Sequence, residues 1–593
     1  MKKLKLAGIF ALALFLLSAC SGPDEHIWLK SSGWSRAAFL GNTVLNDPVP
    51  MTLDAEGRSY FLLVEADAKN AGEKNFNLIA LDPNGLALWE HSLGEIPLTR
   101  PDSPQIIVDS GNLDLFWLDQ NKLYSFRVNL QGEPLQNAPT LLSGEIAVDS
   151  YALAENASGE TSLWFAGTRK NPGVYALTAS DGNGQIQPVD PQGIRIRLRY
   201  DQSDTLHATW LRYPLGYGST ELLYGEYPPQ KAMDAVEPQV VYELAVGPSS
   251  GLEGPVMGID ADEVYVFWTL IIRSGLEAGT IRTFYVHFPL GEPTLVARPE
   301  QLLMPSGYDL QYEDLADTFF DTGERVALQD VRLPRTEKVQ EIVPNPQQTG
   351  ELAIIFRTPT EHLWRKEREQ VNVAYFHQGL PVSYQPLSFT TTLSTSPNLL
   401  NSADRHLYAL WLEKLETDNY AVYFASTSPA IKTAFSRSTT REIGRILAQV
   451  AFGILVGVLM APIAAGILVV APLVILFLFS PLRKIGSKRT QDIVAGISLF
   501  LAILAFWLGK IALLPGMLHY VPFSAWIPNI PHFLAETLRW GVPIASTMIA
   551  LFVAWFYTYR KSNRSTLYFL LIYVGVDSFF TAAFYAVLIY GTT

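Results

Sequence analysis

The chain has 593 residues, 48% of them hydrophobic, and a formal net charge of −13; it is too long for one hydrophobic core, so two or more domains are expected. From Arg437 onward twelve Lys or Arg stand against four acids, and the first five residues hold three lysines, which leaves −24 for the middle of the chain. A middle that acidic repels phosphate backbones and excludes nucleic acid as a partner, while the single cysteine, Cys20, excludes an internal disulfide framework and a cysteine-built metal site.

Lys2, Lys3 and Lys5 precede an apolar run over residues 6–17, too short to cross a bilayer and built like an export signal. The run ends in Leu17, Ser18, Ala19 and Cys20, which resembles the bacterial lipobox. That resemblance implies a lipoprotein-type signal peptide over residues 1–20, with Cys20 as the lipidated mature N-terminus. Residues 21–45 are expected to form a tether and a first strand region.

Residues 46–430 carry short alternating apolar runs rather than helical periodicity, and a unit recurs among them. In each copy an Asp, Asn or Gly turn leads into a strand ending in an aromatic residue, and a Tyr-bearing strand follows. Residues 109–117 (DSGNLDLFW) and 260–268 (DADEVYVFW) are the clearest copies, and both units close on Gly-Glu-Pro. Weaker copies lead to Trp164, Trp210, Phe356 and Trp411, so that units start near 54, 109, 155, 201, 260, 348 and 402. The long interval after 260 holds either a degenerate unit or an insertion. A four-stranded propeller blade takes roughly 40 to 50 residues. The pattern therefore resembles a β-propeller of six to eight blades, similar to the degenerate sialidase-like propellers, although the tight Asp-box turn is not reproduced. Tryptophans at one strand position in every unit are expected to pack blades together rather than to form a carbohydrate platform.

Within this domain Arg195, Arg197 and Arg199 alternate with Ile196, Leu198 and Tyr200, placing the three arginines on one strand face. They form either an anion-binding stripe or a solvated outer strand paired with the surrounding acids. Residues 247–251 spell G-x-S-x-G, but the nucleophile elbow needs a helix directly after Ser249, and Gly and Pro follow instead. The nine histidines show no metal-ligand spacing, and neither a phosphate-binding nor a dinucleotide-binding loop is present. No metal or cofactor is expected, and most carboxylates read as turn or surface residues.

A linker over 431–445 leads to a helical membrane domain, 446–593. Residues 446–480 contain no charge and read as one long span kinked at Pro462 or Pro472. Further spans are expected near 493–514, 540–559 and 567–590, giving an α-helical bundle of four transmembrane helices. Arg483, Lys484, Lys488 and Arg489 separate the first two spans, and Arg560, Lys561 and Arg564 the last two. The positive-inside rule puts both loops in the cytoplasm, which agrees with an exported N-terminal domain and an extracytoplasmic C-terminus at a bacterial plasma membrane. Two charges fall within spans. Lys510 lies near the outer end of its helix, where its stem can snorkel to the interface. Asp577 lies mid-span, where a lone carboxylate is expensive, and is read as either a proton, cation or substrate site or a hydrogen-bonded structural acid.

With no catalytic signature, the sequence points to a binding or sensing protein rather than an enzyme, its propeller recognising a glycan, peptide or protein outside the cytoplasm. The alternatives are an exported polysaccharide hydrolase or lyase with its site in the propeller funnel, recognisable by converging carboxylates, and a transport role in the bundle.

Overall fold

A computed structural model describes residues 26–27 and 33–585, except 67–73, 178–183, 214–218, 307–324, 330–334, 363–365, 437–439, 523–531, 561–564 and the single positions 232, 248, 347, 349, 389, 391, 417, 483, 484, 486, 515, 516, 518 and 519. Cys20 and part of each basic loop lie outside the described residues.

The domain before the helices is a seven-bladed β-propeller. Blades one to six occupy residues 51–98, 101–141, 148–190, 193–245, 250–301 and 340–386, each a sequential antiparallel sheet. Blade seven takes Ser394–Asn401, Leu407–Glu416 and Asn419–Ser426 from the end of the domain, and its next strand, Ala37–Thr43, from the beginning. A strand from the 21–45 segment thus closes the ring, so that no long sheet edge is left open between the first and last blades. The interval after blade five holds an insertion rather than an eighth blade: Met304–Pro305 pairs with Arg335–Thr336, and Val326–Ala327 extends the outer edge of blade six.

Local chemistry sets each blade. The turns between first and second strands are built on side-chain acceptors. Asp54, Asn156, Asp201 and Asp260 each accept the backbone N–H of the residue two further on, the Asx turn that reverses the chain without a cross-strand partner. The second strand then carries the aromatic residue. Trp117, Trp164, Trp210 and Trp411 are all at most 1% exposed, and Trp117 and Trp411 stack on Tyr124 and Tyr423 of the third strand. Seven hydrophobic clusters fill the seven blade interfaces, so the repeated tryptophans pack blades and do not face a ligand.

After Ser426 the chain forms the short helix Pro429–Phe435, whose buried Ile431 and Phe435 join the cluster between blades seven and one. They lie against Gly85, which sits at φ +83°, and a Cβ there would come within 2.8 Å of the Phe435 ring. Gly85 belongs to the turn between third and fourth strands, on the face where first strands end. The first strands begin on the opposite face, so the channel mouth formed there points away from the helix by which the chain leaves the propeller.

Four helices are long and apolar enough to cross a membrane: Leu459–Phe479, Lys488–Leu513, Phe533–Thr558 and Thr566–Phe584, spans one to four. Span one is the end of a longer helix, Thr440–Leu468, continued by Val470–Phe479. Pro472 has no N–H to give the Leu468 carbonyl, and the helix breaks there, whereas Pro462 is accommodated inside it. The first helix and span four touch at Gly457, where a Cβ would lie 2.5 Å from the Ala582 carbonyl oxygen.

Candidate functional site

Two places bring charged side chains together out of bulk water: the propeller channel and the centre of the helix bundle.

The channel is lined by the first strand of each blade. Six of these seven strands carry a register shift near their start, between Asp102 and Gln105, Val148 and Ser150, Ile194 and Arg197, Glu253 and Val256, Gln340 and Val343, and Thr395 and Asn398. At five of these bulges one residue is left-handed: Ser103 (φ 49°), Arg195 (56°), Gly254 (94°), Glu341 (52°) and Ser396 (47°). Bulges re-aim side chains next to functional sites, and left-handed non-glycine residues persist only where the surroundings hold them.

The bulges contact one another around the mouth. Tyr151 donates to the Ser103 carbonyl at 2.6 Å, Ser103 N–H to Asp47 at 3.2 Å, Ser396 Oγ to the Asn46 carbonyl at 2.9 Å, and Ser396 N–H to Glu341 at 2.7 Å. Arg357 Nη2 also reaches Glu341, at 3.2 Å. Burial raises the Asp47 carboxyl above its usual range, opposed by the Ser103 N–H and reinforced by neighbouring Asp102. Glu253 is likewise raised by burial and by the charge of Glu341, against the pull of Arg357, Arg195 and Arg273.

The Arg195, Arg197 and Arg199 stripe lies on the innermost strand of blade four, Gly193–Tyr200, not on an outer strand. Ile194 packs toward blade five and Ile196 and Leu198 toward blade three; the bulge at Arg195 reverses the alternation and leaves all three arginines on the channel side. Arg195 Nη1 donates to the Leu252 carbonyl of blade five at 2.5 Å, and Arg199 Nη2 to the Pro344 carbonyl of blade six at 3.4 Å. A blade-four side chain reaching blade six must cross the channel. Among the described residues Arg197 bonds only the adjacent Ile196 carbonyl, and the Arg199 Nε is buried with no partner. Among the described residues none of the three makes an ion pair. Burial and the neighbouring guanidinium lower Arg197, and push Arg199 down to about 10. The channel wall thus holds three arginines whose hydrogen bonds go to neutral carbonyls, an arrangement that leaves charge for an anion.

Beside the mouth, between blades six and seven, a cleft of about 450 Å³ is lined by Lys338, Arg368, Lys414 and Glu369 over Pro359, Leu393 and Leu415. Thr392 on its wall is held by the buried Glu413, which also accepts from Trp411 and Ser394. Ser249, by contrast, sits in a turn that leads into the strand Ser250–Ile259, not into a helix, so no nucleophile elbow forms. Among the described residues no group of His, Cys, Asp and Glu is placed to hold a metal.

In the bundle, Lys510 does not snorkel. It is 0% exposed, and its Nζ lies 2.6 Å from Asp577 Oδ1, itself 0% exposed. Thr547 of span three donates to Asp577 Oδ2 at 3.0 Å and Thr581 to Oδ1 at 3.2 Å, while the Trp507 ring lies 4.9 Å from Lys510 Nζ. The two charges read separately in the sequence are one site joining spans two, three and four.

The sequence reading missed the mouth residues Asp47, Asp102, Glu253 and Glu341. A signal was present in small triplets ending in proline, Asp102-Ser103-Pro104, Glu253-Gly254-Pro255 and Thr395-Ser396-Pro397, which recur at the bulges. For the bundle, the signal was opposite sign: one cation and one anion, each well inside a span.

No family model matches the chain, and no curated protein matches it. Solved propellers do resemble it. The polysaccharide lyase Uly1 matches with 9% identity over 65% of this chain and 91% of its own, at a TM-score of 0.41. A Trypanosoma rangeli sialidase matches with 9% identity over 73% of this chain and 60% of its own, at 0.31. The β-propeller domain of the Trilobed protease from Pyrococcus furiosus matches with 8% identity over 66% of this chain and all of its own, at 0.34. Likenesses this distant carry no inference about chemistry.

Proposed function

We propose that this chain is a membrane-anchored extracytoplasmic binding protein whose propeller channel recognises an anionic ligand, a carboxylate-bearing glycan or an acidic peptide. The observation that carries the reading is the arginine stripe: Arg195, Arg197 and Arg199 line the channel of an acidic domain without a carboxylate partner among the described residues. The Arg197 and Arg199 guanidinium groups, each on a single carbonyl, keep donors for a carboxylate, and the cleft beside the mouth adds Lys338, Arg368 and Lys414 against one acid, Glu369. The resemblance of residues 17–20 to a lipobox, the four spans and the two basic loops support an arrangement with the propeller outside the cytoplasm. The test is binding of the purified full-length protein to a panel of acidic polysaccharides, acidic peptides and neutral counterparts. Binding confined to acidic members is expected; equal binding to neutral ones overturns the reading.

A second reading, an exported polysaccharide hydrolase or lyase, is favoured by one observation. Burial raises the Asp47 carboxyl beside Asp102, and its bond to the Ser103 N–H at the mouth makes it the candidate proton donor of this reading. Shortening of an acidic polysaccharide by the wild-type protein and not by Asp47→Asn would establish it.

A further inference from the structure

Span four carries a polar stripe that continues past the ion pair. Asp577, Ser578, Thr581 and Tyr585 recur at the three- and four-residue spacing that puts side chains on one helix face. All are buried inside the bundle, Ser578 at 0% and Tyr585 at 1% exposure. Thr581 bonds Asp577, but the hydroxyls of Ser578 and Tyr585 have no hydrogen-bond partner among the described residues. Inside a membrane such a hydroxyl has no solvent to fall back on, and evolution does not leave it facing hydrocarbon without a partner. A site with several polar groups in reach is the kind that holds ordered water. Tyr585 packs on Tyr520 at 5.9 Å, near the end of span two beyond Lys510, so the stripe leads from the pair toward one membrane face. The charge pattern of the loops makes this the extracytoplasmic face.

We propose that a water-filled crevice enters the bundle at Tyr585 and reaches the Lys510–Asp577 pair, which exchanges protons with that water. Asp577 takes a proton from the crevice as Lys510 returns one, so the site stays neutral and no electron moves. The titratable groups facing the pair are Tyr573 and Tyr585 of span four, with Tyr520 beyond them; span three presents Thr547 and span two Trp507, neither of which titrates here. The proposal is independent of the ligand recognised by the propeller.

The test is thiol labelling in intact cells with a membrane-impermeant reagent on Ser578→Cys and Tyr585→Cys, with Phe579→Cys on the adjacent partly exposed position and the parent chain as baselines. Ser578→Cys should react at least about tenfold faster than Phe579→Cys, because a thiolate forms and reacts only where water reaches it. Tyr585→Cys should react as well. Labelling of Tyr585→Cys alone means that the crevice stops short of the pair, and labelling of Ser578→Cys from neither side, or from the cytoplasmic side only in inverted vesicles, removes the crevice; each result overturns the proposal.

Discussion

Lys510 Nζ stands 2.6 Å from Asp577 Oδ1 with both side chains enclosed by the helices, and Thr547 closes the same carboxylate from a third helix. An ion pair enclosed in a helix bundle is held less by its net energy than by the cost of leaving either member alone. Lys510→Met or Asp577→Asn alone should therefore destabilise the bundle by about 3–5 kcal/mol. The double replacement Lys510→Met with Asp577→Leu should recover most of that loss. Unfolding of the detergent-solubilised protein, followed for all three variants, checks the sign of the recovery.

Trp411 is 0% exposed, stacks on Tyr423 and donates its indole N–H to the buried Glu413 at 2.8 Å. Trp411→Ala should cost about 3–5 kcal/mol and should not selectively change ligand affinity, because the side chain packs blade seven against blade six. A denaturant midpoint together with a binding isotherm separates the two roles.

The recurring unit was legible because its determinants are local. Units expected to start near 54, 109, 155, 201, 260, 348 and 402 fall at or beside the turns between the first and second strands of the seven blades. A side-chain acceptor such as Asp201 or Asp260 writes each turn into a few residues. Closure of the ring was not legible, since the pairing of Phe39 with Tyr423 joins residues almost a full domain apart. The channel mouth was hidden for another reason: at the bulges main-chain conformation decides where Arg195 or Glu341 points, and alternation alone cannot show an inserted residue. Lys510 and Asp577 were each visible as charges within spans, but no periodicity relates positions on different helices.

Ring closure also gives a prediction. Ala37 is 0% exposed within the cluster joining blades six and seven. Ala37→Asp would place a carboxylate in that interface without a designed partner, and a buried unpaired charge is among the severe single changes. The variant should lose several kcal/mol, about 3 or more, and become sensitive to limited proteolysis within the propeller.

Asp201 supplies a pH dependence. Burial alone would raise it, but the His207 ring, whose Nε2 lies 3.2 Å away, and hydrogen bonds from Ser203 and the Thr205 N–H outweigh burial and hold it at about 2. An acid whose folded pKa lies below its unfolded value of about 3.9 stabilises the fold above that value. The contribution is lost as the pH falls from about 4 toward 2. Asp201→Asn should lower stability at neutral pH by about 1 kcal/mol after solvent screening and flatten the acid limb of a thermal-stability profile taken across that range.

The most direct measurement is calorimetric titration of the intact protein with a polyuronate oligomer, compared between wild type and Arg197→Gln/Arg199→Gln, at two salt concentrations. Wild-type affinity should weaken as salt rises, and the double variant should bind at least about tenfold more weakly while keeping its melting temperature within a few degrees. Wild-type-like affinity in the folded double variant would contradict the assignment of the channel arginines to anion recognition.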